Sequence, residues 1–178
     1  FTLLLVGCSS GSNTSLSTTK SASTCNPPQQ LDCSGASLQG VDMSDANLAG
    51  ADFTDAMMQG AFLTVANLEG ANLSGANLSG ANLVSANLTD ANLYYANLVG
   101  ADLTNANLVG ADLVSANLTD ADLTAANLTN ADLYDANLSD AKLTNTDLKD
   151  ADLRFTNLVG ADLVSANLTG AKLSDAKL

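Results

Sequence analysis

The chain has 178 residues and is 46% apolar, yet only 4% aromatic, with no Trp and no His. So few large side chains exclude an ordinary globular core. The formal net charge is −13, with Glu69 the only acid that is not Asp; such acidity disfavours direct contact with nucleic acid or anionic lipid and suits a basic partner.

In chain order, residues 1–7 read FTLLLVG and end at Cys8. An apolar run with neither an initiator Met nor a basic start reads as the remnant of a signal peptide. Leu5-Val6-Gly7-Cys8 resembles a bacterial lipobox, so Cys8 is the expected lipidation site. Its acyl chains would anchor the protein to a membrane of the bacterial cell envelope, facing outside the cytoplasm. The alternative is an arbitrary apolar end with a free thiol. Residues 8–24 are rich in Ser and Thr, with Lys20 the single charge, and read as a disordered tether. Residues 25–35 form a candidate capping loop. With Cys8 spent on lipid, Cys25 and Cys33 remain as a candidate disulfide across CNPPQQLDC, in a compartment that permits one; the alternative is two unpaired thiols. Such a loop would cover the first coil of whatever follows, and Cys33, in LDCSG, falls where a core residue belongs.

From Ala36 to Leu178 a five-residue unit, Ala-(Asn/Asp)-Leu-x-x, recurs without insertion, as in ANLSG, ANLTD and ADLVS. Its apolar centres run Leu38, Met43, Leu48, Phe53 and every fifth residue to Leu178. A period of five matches neither the 3.6-residue helix nor the two-residue strand. It demands a chain that turns about a right angle per unit and closes a coil in four units, stacking Leu and Ala into a shared narrow interior.

The unit resembles the signature of the pentapeptide-repeat family: a small residue, then Asn or Asp, then Leu or Phe. The resemblance implies an all-β fold, a right-handed quadrilateral β-helix of about seven coils over residues 36–178. It also implies that the central Leu and the Ala two before it point inward and the rest outward. At roughly 4.8 Å per coil the rod would be about 35 Å long.

Residues 20 apart then stack, and the outward positions sort into columns. One side carries Thr54, Ser74, Tyr94, Val114, Tyr134, Arg154 and Ser174, with Tyr95 and Phe155 at its corner. Every Tyr and the sole Arg thus share one side, a composition typical of contact surfaces; chance clustering of strand-tolerant Tyr is the alternative. Another side carries Thr64, Thr104, Thr124 and Thr144. Charges beside them, at Asp102, Asp122 and Lys142, spoil a match to ice-binding Thr rows. Two sides carry mainly Asn, expected to bond along the stack. The other two carry most of the Asp, at Asp102, Asp122, Asp162 and at Asp112, Asp132, Asp152, with Lys142 and Lys172 offsetting repulsion. Met57, Phe62 and Val65 break the polar pattern, either as support for the N-terminal loop or by chance.

Nothing here points to catalysis, a cofactor or a metal: there is no His, and the carboxylates decorate a convex surface without a pocket. The expected function is a non-enzymatic scaffold that binds an unidentified protein partner. The family resemblance supplies the alternative, an acidic DNA mimic that binds a topoisomerase such as gyrase, which export would oppose. Leu178 ends mid-repeat, so either the chain is truncated there or the last coil joins a second copy in a homodimer.

Overall fold

The computed structural model describes residues 31–178. The expected signal remnant, the tether and residues 25–30 of the loop lie outside the described residues, as do Cys8 and Cys25.

Every unit repeats one local structure, a single bridged residue followed by a two-residue turn. The bridges are parallel and join each residue to the one 20 further on, in four columns. Side one runs from Asp32 to Lys172, side two from Ser37 to Lys177, side three from Asp42 to Asp162 and side four from Asn47 to Asn167. Among the described residues no side holds a continuous strand; each side is built from isolated parallel bridges instead. Two of every five residues are spent on the turn, leaving too few to extend the ladder along the chain.

The unit centred on Leu88 accounts for all five of its backbone N–H groups. Asn87 N–H donates to the Ala66 carbonyl at 2.9 Å, Leu88 N–H to Asn107 at 2.7 Å and Asp90 N–H to Val109 at 2.9 Å, all in adjacent coils. Ala91 N–H closes the turn on the Leu88 carbonyl at 3.1 Å. The fifth, from Thr89, goes to the side-chain Oδ1 of Asn87 at 3.2 Å. This last bond explains the second position of the repeat. Asn or Asp is needed there because its short side chain reaches the N–H two residues on. Asp52, Asn72, Asp112, Asn137 and Asp162 do the same.

Each corner residue from Gly35 to Asp175 has φ between 54° and 76°. Glycine adopts this left-handed conformation freely, and Asp and Asn tolerate it better than other side chains. Asp and Asn fill most of the corners that Gly does not, including Asp90, Asn105, Asp120 and Asn130. Val65, Tyr95 and Phe155 are the bulky exceptions.

The core is as the repeat demands. Leu or its substitutes Met43, Phe53 and Met58 are buried from Cys33 to Leu158, and the neighbouring Ala from Ala51 to Ala151, whereas Ala36 and Ala46 in the first coil are only partly buried. Two Ala positions hold Thr instead. Thr146 and Thr156 are fully buried, and their hydroxyls donate to the carbonyls of Leu123 and Leu133, both at 2.8 Å. A hydroxyl so placed avoids the penalty of an unpaired buried donor. Leu163, Leu168 and Leu173 in the final coil are only partly buried, and Leu178 is exposed.

Candidate protein-interaction face

Because the core and the ladder absorb the backbone and the inward side chains, the outer columns are where the four sides differ. Sides two and four are Asn ladders. On side four the Asn67 amide donates to Asn47 Oδ1 at 3.2 Å, Asn87 to Asn67 at 3.0 Å and Asn107 to Asn87 at 3.3 Å. On side two Asn97 donates to Asn77 at 3.3 Å and Asn157 to Asn137 at 3.0 Å. The expected bonding along the stack is therefore present, and it sits on top of the turn bond at the same Oδ1 atoms.

Side three places Asp102 beside Asp122 and Asp122 beside Lys142. Lys142 Nζ donates to Asp122 Oδ2 at 3.0 Å. Burial raises the Asp122 carboxyl, but hydrogen bonds from Thr124 and Lys142 outweigh it and hold it below its ordinary value. Lys142 is raised, chiefly by its bond to Asp122.

Side one gathers all five residues expected to form a contact patch. Tyr94 and Tyr95 meet edge to face with ring centroids 4.3 Å apart. Two coils on, Tyr134 and Phe155 lie 5.2 Å apart. The Arg154 guanidinium sits 5.4 Å from the Tyr134 centroid, a cation–π arrangement. The same guanidinium grips Asp152 bidentately, with Nε to Oδ1 at 2.7 Å and Nη2 to Oδ2 at 2.6 Å. Lys172 adds a second cation at 3.3 Å. These bonds, the one from Arg154 foremost, hold the Asp152 carboxyl down at about 2. Thus the Asp column on side one is neutralised at its upper end, as Lys172 suggested. Arg154 contributes more than the sequence reading assigned to it.

The aromatic residues remain accessible despite these contacts: Tyr95 is 60% exposed and Phe155 45%. Both stand at corners with φ of 55° and 62°. A bulky side chain in that region costs on the order of 1 kcal/mol. The rings face outward, so core burial does not offset that cost. The sequence reading found the cluster by column but missed the strain, because Tyr and Phe give no sign in a sequence of a left-handed corner.

Met57, Phe62 and Val65 are exposed at 40%, 49% and 54%, as their breaks in the pattern implied. Phe62 and Val65 lie on side three and Met57 on side two, away from the aromatic cluster. Met57 also removes the side-chain acceptor from its turn, and the neighbouring Gln59 Oε1 is buried without a partner. Cys33 is fully buried and disulfide-bonded. Among the described residues no group of three or more His, Cys, Asp or Glu is arranged to hold a metal ion. No helix among them is long and apolar enough to cross a membrane.

The family model for pentapeptide repeats matches in eight copies, over residues 32–70, 66–105, 106–145 and 146–178. No curated protein matches the chain. HetL, a pentapeptide repeat protein involved in heterocyst differentiation regulation from the cyanobacterium Nostoc sp. strain PCC 7120, is 34% identical. The match covers 82% of this chain and 79% of that one, with a TM-score of 0.48. A pentapeptide repeat protein from the thylakoid lumen of Arabidopsis thaliana is also 34% identical, over 55% of this chain and 68% of that one, with a TM-score of 0.54. QnrB1, a plasmid-mediated fluoroquinolone resistance protein, is 18% identical over 84% of each chain, with a TM-score of 0.56, a likeness of fold alone. The unbroken five-residue unit, the bridges at a spacing of 20 and the family match over nearly all the described residues agree: the chain belongs to the pentapeptide-repeat family.

Proposed function

We propose that the protein is a non-enzymatic scaffold, a right-handed rod that holds a protein partner on side one. The carrying observation is the exposed cluster of Tyr94, Tyr95, Tyr134, Arg154 and Phe155, two of whose rings occupy strained corners that serve no core. Aromatic residues and Arg are the side chains that most often anchor protein contacts. The remaining sides offer chiefly Asn, Asp and Thr, with Met57, Phe62, Val65 and Val164 as exposed apolar residues that gather no Arg or second ring. Crosslinking and pull-down from envelope fractions tests the reading. The wild type should capture a specific partner, and Tyr94→Ser/Tyr134→Ser/Arg154→Ser should lose it while melting as a folded rod. Equal capture by the two would remove side one from the account.

The lipobox-like LVGC supports attachment to an envelope membrane through Cys8. Cys8→Ser in the exported protein should move the rod from membrane to soluble fractions. The buried, disulfide-bonded state of Cys33 supports a cap closed by Cys25. Cys25→Ser/Cys33→Ser should then melt at a lower temperature, and an unchanged melt would sink the pairing.

A second reading draws on the seven acids from Asp102 to Asp140, which no base interrupts. It makes the rod an acidic mimic of duplex DNA that binds a topoisomerase. A variant lacking residues 1–24 that neither inhibits nor protects gyrase would end it.

A further inference from the structure

Side one contains the same three-residue arrangement twice, and the chain supplies a cation to only one copy. In the upper copy, Arg154 follows Asp152 by two residues, binds its carboxylate and lies over Tyr134 in the coil below. Shifted back by two coils, Asp152 becomes Asp112, Tyr134 becomes Tyr94 and Arg154 becomes Val114. The residue stacked above differs too. Asp152 has Lys172 above it, whereas Asp112 has Asp132. The lower copy therefore keeps the ring and the carboxylate, loses both cations and gains a second acid.

The state of those carboxylates follows from the turn geometry. Asp112 Oδ1 accepts the Val114 N–H at 3.0 Å, and Asp132 Oδ1 accepts the Tyr134 N–H at 3.0 Å. Each holds its Oδ1 in place through the turn, and neither Oδ2 accepts a hydrogen bond among the described residues, although Arg154 in the next coil attracts Asp132 at longer range. Asp152 shows the contrast, since its Oδ2 receives both Arg154 and Lys172. Beside the bare pair stand Tyr94 and Tyr95, whose edge-to-face contact fixes one ring against the other. Asp135 at the next corner adds another acid and no base.

We propose that Asp112, Asp132 and the Tyr94–Tyr95 pair form a receptor for an arginine or lysine side chain of a partner protein, in the register that Arg154 fills on the chain itself. The inference rests on the binding role assigned to side one and names the chemistry of the partner, a basic segment lying along the rod. The guanidinium or ammonium sits between the two free Oδ2 atoms and against a Tyr ring, and its aliphatic stem lies on Val114. The chain's own clamp demonstrates that this combination of groups accepts a cation at the spacing of the coils. Charge complementarity favours the same occupant, because the rod carries a formal net charge of −13.

A tetra-arginine peptide titrated at physiological salt tests it, because general attraction to an acidic rod can be separated from a seated cation. Val114→Arg should fill the receptor from within, and Val164→Arg adds the same charge on exposed side three. Val114→Arg should weaken peptide binding about tenfold, the scale of a lost cation–π and carboxylate contact. Val164→Arg should change it by less than about twofold, the effect of one distant screened charge. Tyr94→Leu should weaken binding without altering the net charge. Equal losses in the two Arg variants, or an unchanged Tyr94→Leu, would overturn the receptor. If Val114→Arg still captures the envelope partner that the Tyr94, Tyr134 and Arg154 triple variant loses, side one remains the binding side and only the cation assignment falls.

Discussion

Sides four and one share a backbone ladder, a core and a turn, yet they present opposite surfaces. Side four stacks Asn47, Asn67, Asn87 and Asn107 into a bonded row that satisfies itself. Side one stacks aromatic rings, an Arg and Asp residues, some clamped and some left with a free oxygen. The difference teaches that three of the five positions in each unit specify the architecture and the left-handed corner favours Gly, Asp or Asn, while the first turn position is the freest to vary. Whatever distinguishes this rod from others of its kind is written there and in the occasional exchange of Asn for Asp.

Core truncation is the largest expected effect and should not distinguish the sides. Leu88 and Leu113 are both fully buried, one behind each side. Leu88→Ala and Leu113→Ala should each cost about 2–5 kcal/mol in denaturant unfolding. A large difference between them would show that one side is independently stabilised.

The second position should distinguish them. Asn87 Oδ1 accepts the Thr89 N–H and the Asn107 amide, and its own amide donates to Asn67. Asn87→Ala should cost about 1–3 kcal/mol by leaving these groups unpaired. Asp132→Ala should cost less, since it loses one turn bond and relieves the repulsion from Asp112 above which it stacks. Thermal melts of the pair measure the gap, and equal losses would show that the Asn row adds nothing to the turn bond.

Much of this contrast was legible in the sequence. The period located the core from Leu38 onward, and sorting residues by 20 placed Tyr94, Tyr134 and Arg154 in one column. The Asn rows were legible for the same reason. What escaped is the chemistry that arises within a unit. The Asn or Asp side chain was read as a partner for the next coil, although its first task is to accept the N–H two residues on. The left-handed corners at Tyr95 and Phe155 were not legible, because these look like ordinary outward residues. Nothing in the sequence marks Thr146 and Thr156 as more than departures from Ala, because their bonds to Leu123 and Leu133 depend on a carbonyl in the adjacent coil. The doubled arrangement on side one needed the ring and carboxylate contacts of Arg154 before Val114 could be seen as its counterpart.

A smaller effect separates the clamped Asp from its neighbours by pH. The folded Asp152 carboxyl is depressed to about 2 from an ordinary 3.8. Its contribution is therefore present in full above the ordinary value and is lost as pH falls through the folded one. Asp152→Asn keeps a side-chain acceptor for the Arg154 N–H but lacks the charge. Its stability deficit against the wild type should be constant near neutrality and should shrink between about pH 4 and pH 2. A deficit that persists unchanged to the lowest pH would show that the Arg154 clamp does not depend on the carboxylate charge.

Side one, and no other, is expected to meet a partner. A photo-crosslinking residue at Ser115, at the corner between the two ring pairs, tests it against the same residue at Ser85, a corner of side three. Ser85 is exposed and Ser115 half-buried, so accessibility alone would favour position 85; both share the left-handed backbone. Irradiation in envelope fractions should yield a discrete adduct from position 115 and none from position 85. Adducts of equal yield from both, or from position 85 alone, would contradict the account.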